Sequence, residues 1–160
     1  MPVREMKKFR YVLVVGIILL DQAVKLLVRT AMYVGQSFPV LADFFHITYV
    51  QNRGAAFSIL SGKFLLLVGV PAAAVIFALW YMEKHIDCHW TLMLSLCLII
   101  SGGIGNLIDR VFMGFVTDMF DFGFFPVFNV ADIAVCVGAG FLILYTFWFS
   151  EKEQISGSNA

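Results

Sequence analysis

Four long apolar runs constrain the fold of this chain more than any other feature of its sequence. A helix needs roughly 20 mostly apolar residues to cross the hydrocarbon core of a bilayer. Four segments of this kind predict spanning helices over about residues 9–28, 64–82, 90–108 and 131–149. Only 14% of the residues are charged, whereas a soluble domain carries roughly a quarter. The sequence therefore predicts an all-α membrane protein with four transmembrane helices and a polar, disordered tail over residues 151–160.

Lysine and arginine are concentrated on one side of the predicted membrane. Four of them precede or open the first run, and Lys84 and Lys152 fall on the same side. Because cytoplasmic segments carry an excess of these residues, both termini are predicted to be cytoplasmic, with residues 30–63 and 109–130 facing outward. The N-terminus also resembles a secretory signal peptide. No clear small-residue cleavage site follows and the apolar pattern resumes after Asp21, so an uncleaved first helix is favoured.

The first outward segment is more than a linker. Residues 44–50 are rich in β-branched and aromatic side chains, which favour strands, and residues 51–54 have the composition of a turn. A small periplasmic β-rich segment on the membrane surface is therefore one expectation. An irregular, aromatic-rich loop at the interface is an equally open alternative.

Polar residues interrupt the apolar runs at similar depths. Asp21 and Lys25 fall within the first run, Asn106 lies near the end of the third, and Asp132 opens the fourth. Ionisable residues in a membrane are costly and normally face the interior of the bundle. Asp21 and Lys25 are four residues apart with the acid first, so they can also form a structural ion pair that needs no substrate. The glycines at 102–105 are explained by close helix packing, but Asn106 needs a hydrogen-bond partner.

Two aspartates flank the second outward segment. Asn129 is a good N-cap for the fourth helix and Asp132 stands three residues later, as in a capping box, so a structural role for Asp132 is open. If the chain folds back so that Asp118 meets Asp132, the two carboxyl groups share one proton and can perform aspartic-peptidase chemistry. Asp121 is a rival for the position of Asp118.

Five short motifs follow one another from the first run to the fourth. They are Asp21-Gln22-x-x-Lys25 and the segments 52–58, 102–110, 116–119 and 125–132. In this order and in these topological places, they resemble the motifs of the prolipoprotein signal peptidases, also called signal peptidase II, over nearly the whole chain. The resemblance implies one integral membrane peptidase domain over residues 1–160, an aspartic endopeptidase of the bacterial inner membrane. Such enzymes remove signal peptides from diacylglyceryl-modified prolipoproteins by cutting before the lipidated cysteine.

The resemblance also implies roles for individual residues. It assigns the catalytic pair to Asp118 and Asp132 rather than Asp121. The residues that line the site and hold substrate or inhibitor are then Asn52, Gly54, Asn106, Arg110 and Asn129, with Asp21 and Lys25 as a supporting polar pair. Membrane lipids are implied neighbours and the cyclic peptide globomycin an implied inhibitor. Met119 stands where the family commonly has Phe, and the segment between the two aspartates is short, which can alter the outer flap.

The residues alone leave three other classes of function open. A small transporter could use Asp21 as its protonatable site. A different peptidase could use Ser58 or Ser61 with Lys63 as a nucleophile and base. A non-catalytic assembly factor is a third class.

Metal, disulfide and nucleic-acid chemistry find little support in the sequence. The histidines His46, His85 and His89 do not cluster with acidic residues in a ligand spacing, so no metal or cofactor is expected. The three cysteines are an odd number without a CxxC spacing, which argues against a disulfide framework. The formal net charge of +0 gives no indication of a nucleic-acid partner.

Overall fold

The chain is described by a computed structural model over residues 3–41, 44–54, 63–85 and 88–148, with side chains except at 3–7, 64 and 148. The elements in chain order are α1 (Val3–Ala31), β1 (Ser37–Leu41), β2 (Phe45–Asn52), α2 (Phe64–Lys84), α3 (Trp90–Met113), β3 (Val116–Asp121) and α4 (Val130–Trp148). Four helices in these ranges are long and apolar enough to cross a membrane, which confirms the four predicted spans. The tail 151–160, Ser58 and Ser61 lie outside the described residues.

The third helix is longer than its apolar run predicts. It continues to Met113 rather than ending near residue 108. Asn106 and Asp109 interrupt the apolar pattern, but both side chains hydrogen-bond to other elements instead of facing lipid, so the helix has no reason to end there. It ends at Gly114, whose φ of +76° is a left-handed conformation that glycine adopts without steric cost.

A three-stranded antiparallel sheet joins the two connections on one side of the helices. Its strand order is β1-β2-β3. The β-rich segment predicted over residues 44–50 is confirmed as most of β2, which also takes in Gln51 and Asn52 from the predicted turn. The sequence did not predict β3, which pairs with β2 so that Asp118 lies opposite Val50. The sheet therefore ties the α1–α2 connection to the α3–α4 connection and brings Asp118 next to the end of β2.

α3 is the central helix of the bundle. It packs against α1, α2 and α4, and 50% of its apolar segment is buried, compared with 22% or less in each of the other helices. Small residues allow these close contacts: a Cβ at Gly102 would collide with the Ala131 carbonyl, and one at Gly105 would lie 2.6 Å from Asp21 Oδ2. The first turns of α4 are therefore held directly against the end of α3 that carries Asn106.

Candidate active site

Asp118 lies within β3 and is 2% exposed. The strand begins with two β-branched residues and pairs with β2, which places Asp118 near the end of that strand. Asn52 Nδ2 donates a hydrogen bond to Asp118 Oδ2 at 3.1 Å, and Asn129 Nδ2 donates to Oδ1 at 2.7 Å. Amide groups from two separate segments of the chain thus fix both oxygens of this carboxyl group.

Asp132 begins α4 in the capping arrangement that the sequence suggested. The Asp132 backbone N–H donates to Asn129 Oδ1 at 2.9 Å, and Asp132 Oδ2 accepts from the Asn129 backbone N–H at 3.2 Å. This reciprocal pair satisfies donors at the start of the helix. The second oxygen, Oδ1, accepts from Asn106 Nδ2 at 2.8 Å. Capping uses one oxygen of Asp132 and leaves the other directed at α3.

Asn129 and Asn106 connect the two carboxyl groups. Asn129 Nδ2 reaches Asp118 and also donates to Asn106 Oδ1 at 3.2 Å. Lys25 Nζ donates to the same Asn106 oxygen at 3.0 Å. Asn106 therefore has three hydrogen-bond partners: Lys25, Asn129 and Asp132. A continuous chain of hydrogen bonds runs from α1 through α3 to both aspartates.

The environment of Asp118 favours its protonated form. Burial, and after it the negative charge of Asp132, raise the pKa of this carboxyl group to about 6. Hydrogen bonds from Asn129 and Asn52 and the charge of Lys25 act in the opposite direction. A carboxyl group with a pKa of about 6 can hold a proton near neutral pH and give it up during a reaction.

A cavity of about 380 Å³ opens beside the two aspartates. Its polar lining consists of Asn52, Asn106, Arg110, Asp118 and Asp132. Its remaining lining is mostly apolar and comes from α2, α3, α4 and the segment before α4: Pro71, Gly103, Val116, Phe125, Pro126, Val127, Phe128, Val135 and Cys136. A mainly apolar concave site with a few convergent polar groups is the usual form of a ligand pocket.

Arg110 ties the end of the first outward segment to α3. Its Nη2 donates to the Gly54 carbonyl at 3.1 Å, and the Gly54 N–H donates to Asn52 Oδ1 at 2.9 Å. Gly54 and Asn129 do not belong to the cavity lining. They act through the residues that do, since each holds a lining side chain in position.

Asp21 and Lys25 form a fully buried ion pair behind the cavity. Their charged atoms are 3.0 Å apart, and Lys25 Nζ also lies 3.2 Å from Asp109 Oδ2. Asp21 Oδ1 accepts a hydrogen bond from the Ala131 N–H at 2.9 Å, which is one of the free donors at the start of α4. Asp21 is thus a structural residue that anchors α4 to α1, and this full set of partners argues against a transport site at this residue.

Comparison with known proteins decides the family. A family model described as signal peptidase (SPase) II matches residues 13–148. The chain belongs to the signal peptidase II family. A lipoprotein signal peptidase of Halothermothrix orenii is 49% identical over 142 residues, which cover 89% of this chain and 97% of that protein. The lipoprotein signal peptidase of Streptococcus pneumoniae is 43% identical over 157 residues, covering 96% and 100%.

Two solved structures share the fold of this chain. A bacterial membrane enzyme determined by the in meso method at 2.3 Å resolution superposes with a TM-score of 0.81 at 30% identity, covering 87% of each chain. A second one at 1.9 Å resolution also gives 0.81 and 30%, covering 89% of this chain and 95% of the other. The chain is therefore a multi-pass membrane enzyme, a peptidase with four spanning helices and a small sheet.

Asp121, the rival of Asp118 in this signal peptidase II chain, faces away from the cavity. The two residues are three positions apart on β3, so their side chains point to opposite faces of the sheet. Asp121 accepts hydrogen bonds from Thr48 Oγ1 at 2.8 Å and from the Gly123 N–H at 2.9 Å. Met119, where the family commonly has Phe, is fully buried in a cluster with Val28 and Tyr49 and does not line the cavity.

Four residues were missing from the predicted site of this family member: Gln22, Arg29, Asp109 and Thr117. All of them belong to the buried network around Asp21 and Lys25. Three of them stand within the five motifs: Gln22, Asp109 and Thr117. Arg29 follows Lys25 by four residues and therefore shares its helix face. The contact of Asp109 with the backbone of Thr117 has no signal in the sequence, since it depends on how β3 folds back.

Two of the three histidines of this peptidase have ordinary structural partners. His85 stacks on Tyr81 with ring centroids 4.0 Å apart, and His89 Nδ1 accepts the Thr91 N–H at the start of α3. Within the described ranges, no three His, Cys, Asp or Glu side chains are arranged to hold a metal ion.

Proposed function

We propose that Asp118 and Asp132 are the catalytic pair of an intramembrane aspartic endopeptidase. The observation that supports this assignment is the position of both carboxyl groups on one cavity, linked through Asn129 and Asn106. Because its pKa is raised, Asp118 can hold the proton that an aspartic pair needs. Because the chain belongs to the signal peptidase II family, it removes signal peptides from prolipoproteins. The proposed cut lies before the cysteine that carries a diacylglyceryl group.

The two carboxyl groups have different environments, which assigns them different roles in the proposed reaction. Asp118 has its pKa raised to about 6 and is the acid that protonates the carbonyl oxygen of the scissile bond. Asp132 accepts two hydrogen bonds at the N-terminus of α4, where the helix dipole favours a negative charge, and is the base that takes a proton from water. Attack of the water oxygen on the carbonyl carbon gives a tetrahedral diol. Asp132 then gives its proton to the amide nitrogen while Asp118 takes a proton back from one hydroxyl of the diol. The C–N bond breaks, which leaves a carboxyl group and an amine and restores both aspartates.

Polar residues around the pair hold the reacting groups. Asn52 and Asn106 each donate to one aspartate, so they fix the direction of the carboxyl oxygens. Arg110 lines the cavity and uses one of its five N–H groups for Gly54. The proposed role of its remaining donors is to bind a carbonyl oxygen of the substrate.

The proposed entry route is lateral, between α2 and α4. The apolar lining includes Pro71 on α2, Gly103 on α3, and Val135 and Cys136 on α4. A signal peptide is an apolar segment and its lipid must stay in the bilayer, so an apolar opening between helices lets both remain there. The enzyme is proposed to lie in the bacterial inner membrane, with both termini cytoplasmic and the cavity near the outer face, acting as one domain over residues 1–160.

Globomycin is proposed as an inhibitor that occupies the same cavity. A cyclic peptide suits this site because the apolar wall can bind its side chains while Asn52 and Arg110 bind its backbone. Purified wild-type enzyme should lose cleavage of a lipidated precursor in proportion to added globomycin, and excess precursor should restore it. Inhibition that excess precursor cannot relieve would place the inhibitor elsewhere.

The test of the catalytic pair is cleavage of a diacylglyceryl-modified precursor by purified variants. Asp118→Asn and Asp132→Asn should each abolish turnover, because neither amide can exchange the required proton. Asn still caps a helix, so Asp132→Asn should keep its thermal stability within roughly 1 kcal/mol of the wild type.

Asp121→Asn is the matched control, since Asp121 lies on the same strand but on the opposite face of the sheet. It should retain most of the wild-type activity. Full turnover by either Asp118→Asn or Asp132→Asn would falsify the assignment, and a dead Asp121→Asn with normal folding would show that the wrong first aspartate was chosen.

A further inference from the structure

A buried, charge-balanced cluster lies directly behind Asp118 without reaching the cavity. At its centre is Asp109, which is 0% exposed. Its Oδ2 contacts Lys25 Nζ at 3.2 Å and accepts the Thr117 N–H at 2.9 Å. Its Oδ1 contacts Arg29 Nη1 at 3.4 Å and accepts from Gln22 Nε2 at 3.3 Å. In the part of the chain that the structure describes, none of these residues lines the cavity, so their effect on the site is indirect.

Arg29 balances the charge of this cluster. Asp21 and Asp109 bring two negative charges into a fully buried space, and Lys25 lies within 3.2 Å of both. One lysine can neutralise only one carboxylate, and a buried charge without compensation is strongly destabilising. Arg29, whose side chain is 15% exposed, supplies the second positive charge at Asp109.

Arg29 also contacts the residue that precedes Asp118. Its Nη1 donates to Thr117 Oγ1 at 3.2 Å, while Asp109 accepts the Thr117 N–H. Helices α1 and α3 therefore hold the side chain and the backbone of Thr117 together. β2 holds the strand from its other edge, with Gln51 opposite Thr117. The backbone next to Asp118 is therefore held from both sides. On the side of the helices, Arg29 contacts both Asp109 and Thr117.

We propose that Arg29 is a positioning residue for Asp118, acting through Asp109 and Thr117. It holds the Asp109 carboxylate in place, and that carboxylate holds β3 so that Asp118 meets Asn129 and the cavity. The inference rests on the proposed function only in taking Asp118 as a catalytic group. A displacement of about 1 Å at a reacting group can cost on the order of 100-fold in rate, so a small shift of β3 is enough to be measured.

The test compares Arg29→Gln, Arg29→Lys and Lys63→Gln in purified, folded enzyme cleaving a lipidated precursor. Arg29→Gln should lower kcat by on the order of 10- to 100-fold with little change in KM, because the cavity lining is untouched. Arg29→Lys keeps the charge and should recover part of the loss. Lys63→Gln removes an exposed cation on the same predicted side of the membrane as Arg29, and it should behave like the wild type.

Charge compensation separates positioning from simple loss of packing. The double variant Asp109→Asn/Arg29→Gln removes both charges, and Asn at 109 can still accept the Thr117 N–H. It should therefore have a higher kcat than Arg29→Gln alone. Thr117→Val keeps the shape of the side chain but loses the hydroxyl that Arg29 contacts. It should therefore also lower kcat.

Three results would overturn the inference: an unchanged kcat in Arg29→Gln, a loss that appears only in KM, or a double variant that is no better than the single one. If Arg29→Gln does not fold, Thr117→Val decides, and wild-type kcat in that variant contradicts the proposal. Activity in Asp118→Asn would instead remove the proposed function itself. The two failures are therefore distinguishable.

Discussion

Asn129 shows how one uncharged side chain can organise two carboxyl groups. Its Nδ2 group donates to Asp118 and to Asn106, and its Oδ1 accepts the Asp132 N–H. Its own backbone N–H donates to Asp132 Oδ2. A charged residue at this position would bias the proton toward one aspartate, whereas an amide donates and accepts without adding charge. The capping role that the sequence suggested for Asp132 and the proposed catalytic role are therefore served by the same geometry.

The raised pKa of Asp118 predicts the pH dependence of the enzyme. The proposed reaction needs the acid form of Asp118, and this form is lost as the pH rises through about 6. The kcat/KM of the wild type should therefore fall on the alkaline side of about 6, since this parameter reports groups of the free enzyme. Asn52 donates a hydrogen bond that stabilises the ionised carboxylate, so Asn52→Ala should raise this pKa and move the descending limb to higher pH.

The measurement is kcat/KM for a lipidated precursor across the pH range. Asp121→Asn is the control, and the descending limb of its pH profile should coincide with that of the wild type. A limb that moves to lower pH in Asn52→Ala would contradict the assignment of this titration to Asp118.

Elements were predictable from the sequence where a local pattern determines them. Apolar length gave all four spans, and β-branched and aromatic residues gave β2. The full length of α3 was missed because Asn106 and Asp109 look like an end in a pattern of apolar residues, although their partners lie inside the protein. β3 was missed because its pairing joins residues far apart in the chain: Asn52 and Asp118 are separated by 66 positions.

The same limit applies to the site. Motif order pointed to Asp118 and Asp132, but the contacts of Arg29 and Gln22 cross from one helix to another. No spacing within a single segment encodes them.

Close packing of α3 against α4 gives a prediction at the level of elements. A Cβ at Gly102 would meet the Ala131 carbonyl and lie 2.8 Å from Val135 Cγ2. Gly102→Ala should therefore push α4 away, lower the thermal stability by about 1–3 kcal/mol and reduce turnover, because Asp132 follows Ala131 directly. Gly140→Ala on α4 is the matched control, since nothing lies within 4 Å of the added carbon.

Thermal unfolding in detergent and cleavage of a lipidated precursor measure the two effects. Gly140→Ala should be as stable as the wild type or slightly more so, because alanine is the better helix former by roughly 1 kcal/mol. Equal behaviour of the two alanine variants would show that the contact between α3 and α4 does not constrain the site.

The arrangement of the whole molecule places the three described strands on one side of the membrane. β1 and β2 lie between α1 and α2, and β3 lies between α3 and α4. Since each helix crosses once, these two connections must emerge on the same side, together with Asn52, Asp118 and the start of α4. The start of α1, the end of α2, the start of α3 and the end of α4 lie on the other side. The candidate active site therefore faces one compartment, and the orientation of the chain decides which compartment that is.

Charge distribution predicts that this compartment is the outer one. Arg4, Lys7, Lys8, Arg10, Lys84 and Lys152 fall on the side of the termini. On the side of the sheet, Arg29 and Arg110 are bonded within the protein, which leaves Arg53 and Lys63 as its exposed cations in the described residues. The positive-inside rule counts such residues near the ends of the helices, so the terminal side should be cytoplasmic.

Reporter fusions in a bacterial host test this orientation. Alkaline phosphatase, which is active only outside the cytoplasm, should be active when fused after Gly35 or Gly123 and inactive when fused after His85. A fluorescent protein that folds only in the cytoplasm should be bright at the C-terminus of the full-length enzyme. That fusion should still process a lipoprotein precursor. Its activity would show that the fluorescent molecules are not an inverted and inactive fraction of the enzyme. The reversed pattern, with phosphatase active after His85, would mean that the cavity faces the cytoplasm and that the proposed substrate, delivered from the outer face, could not reach it.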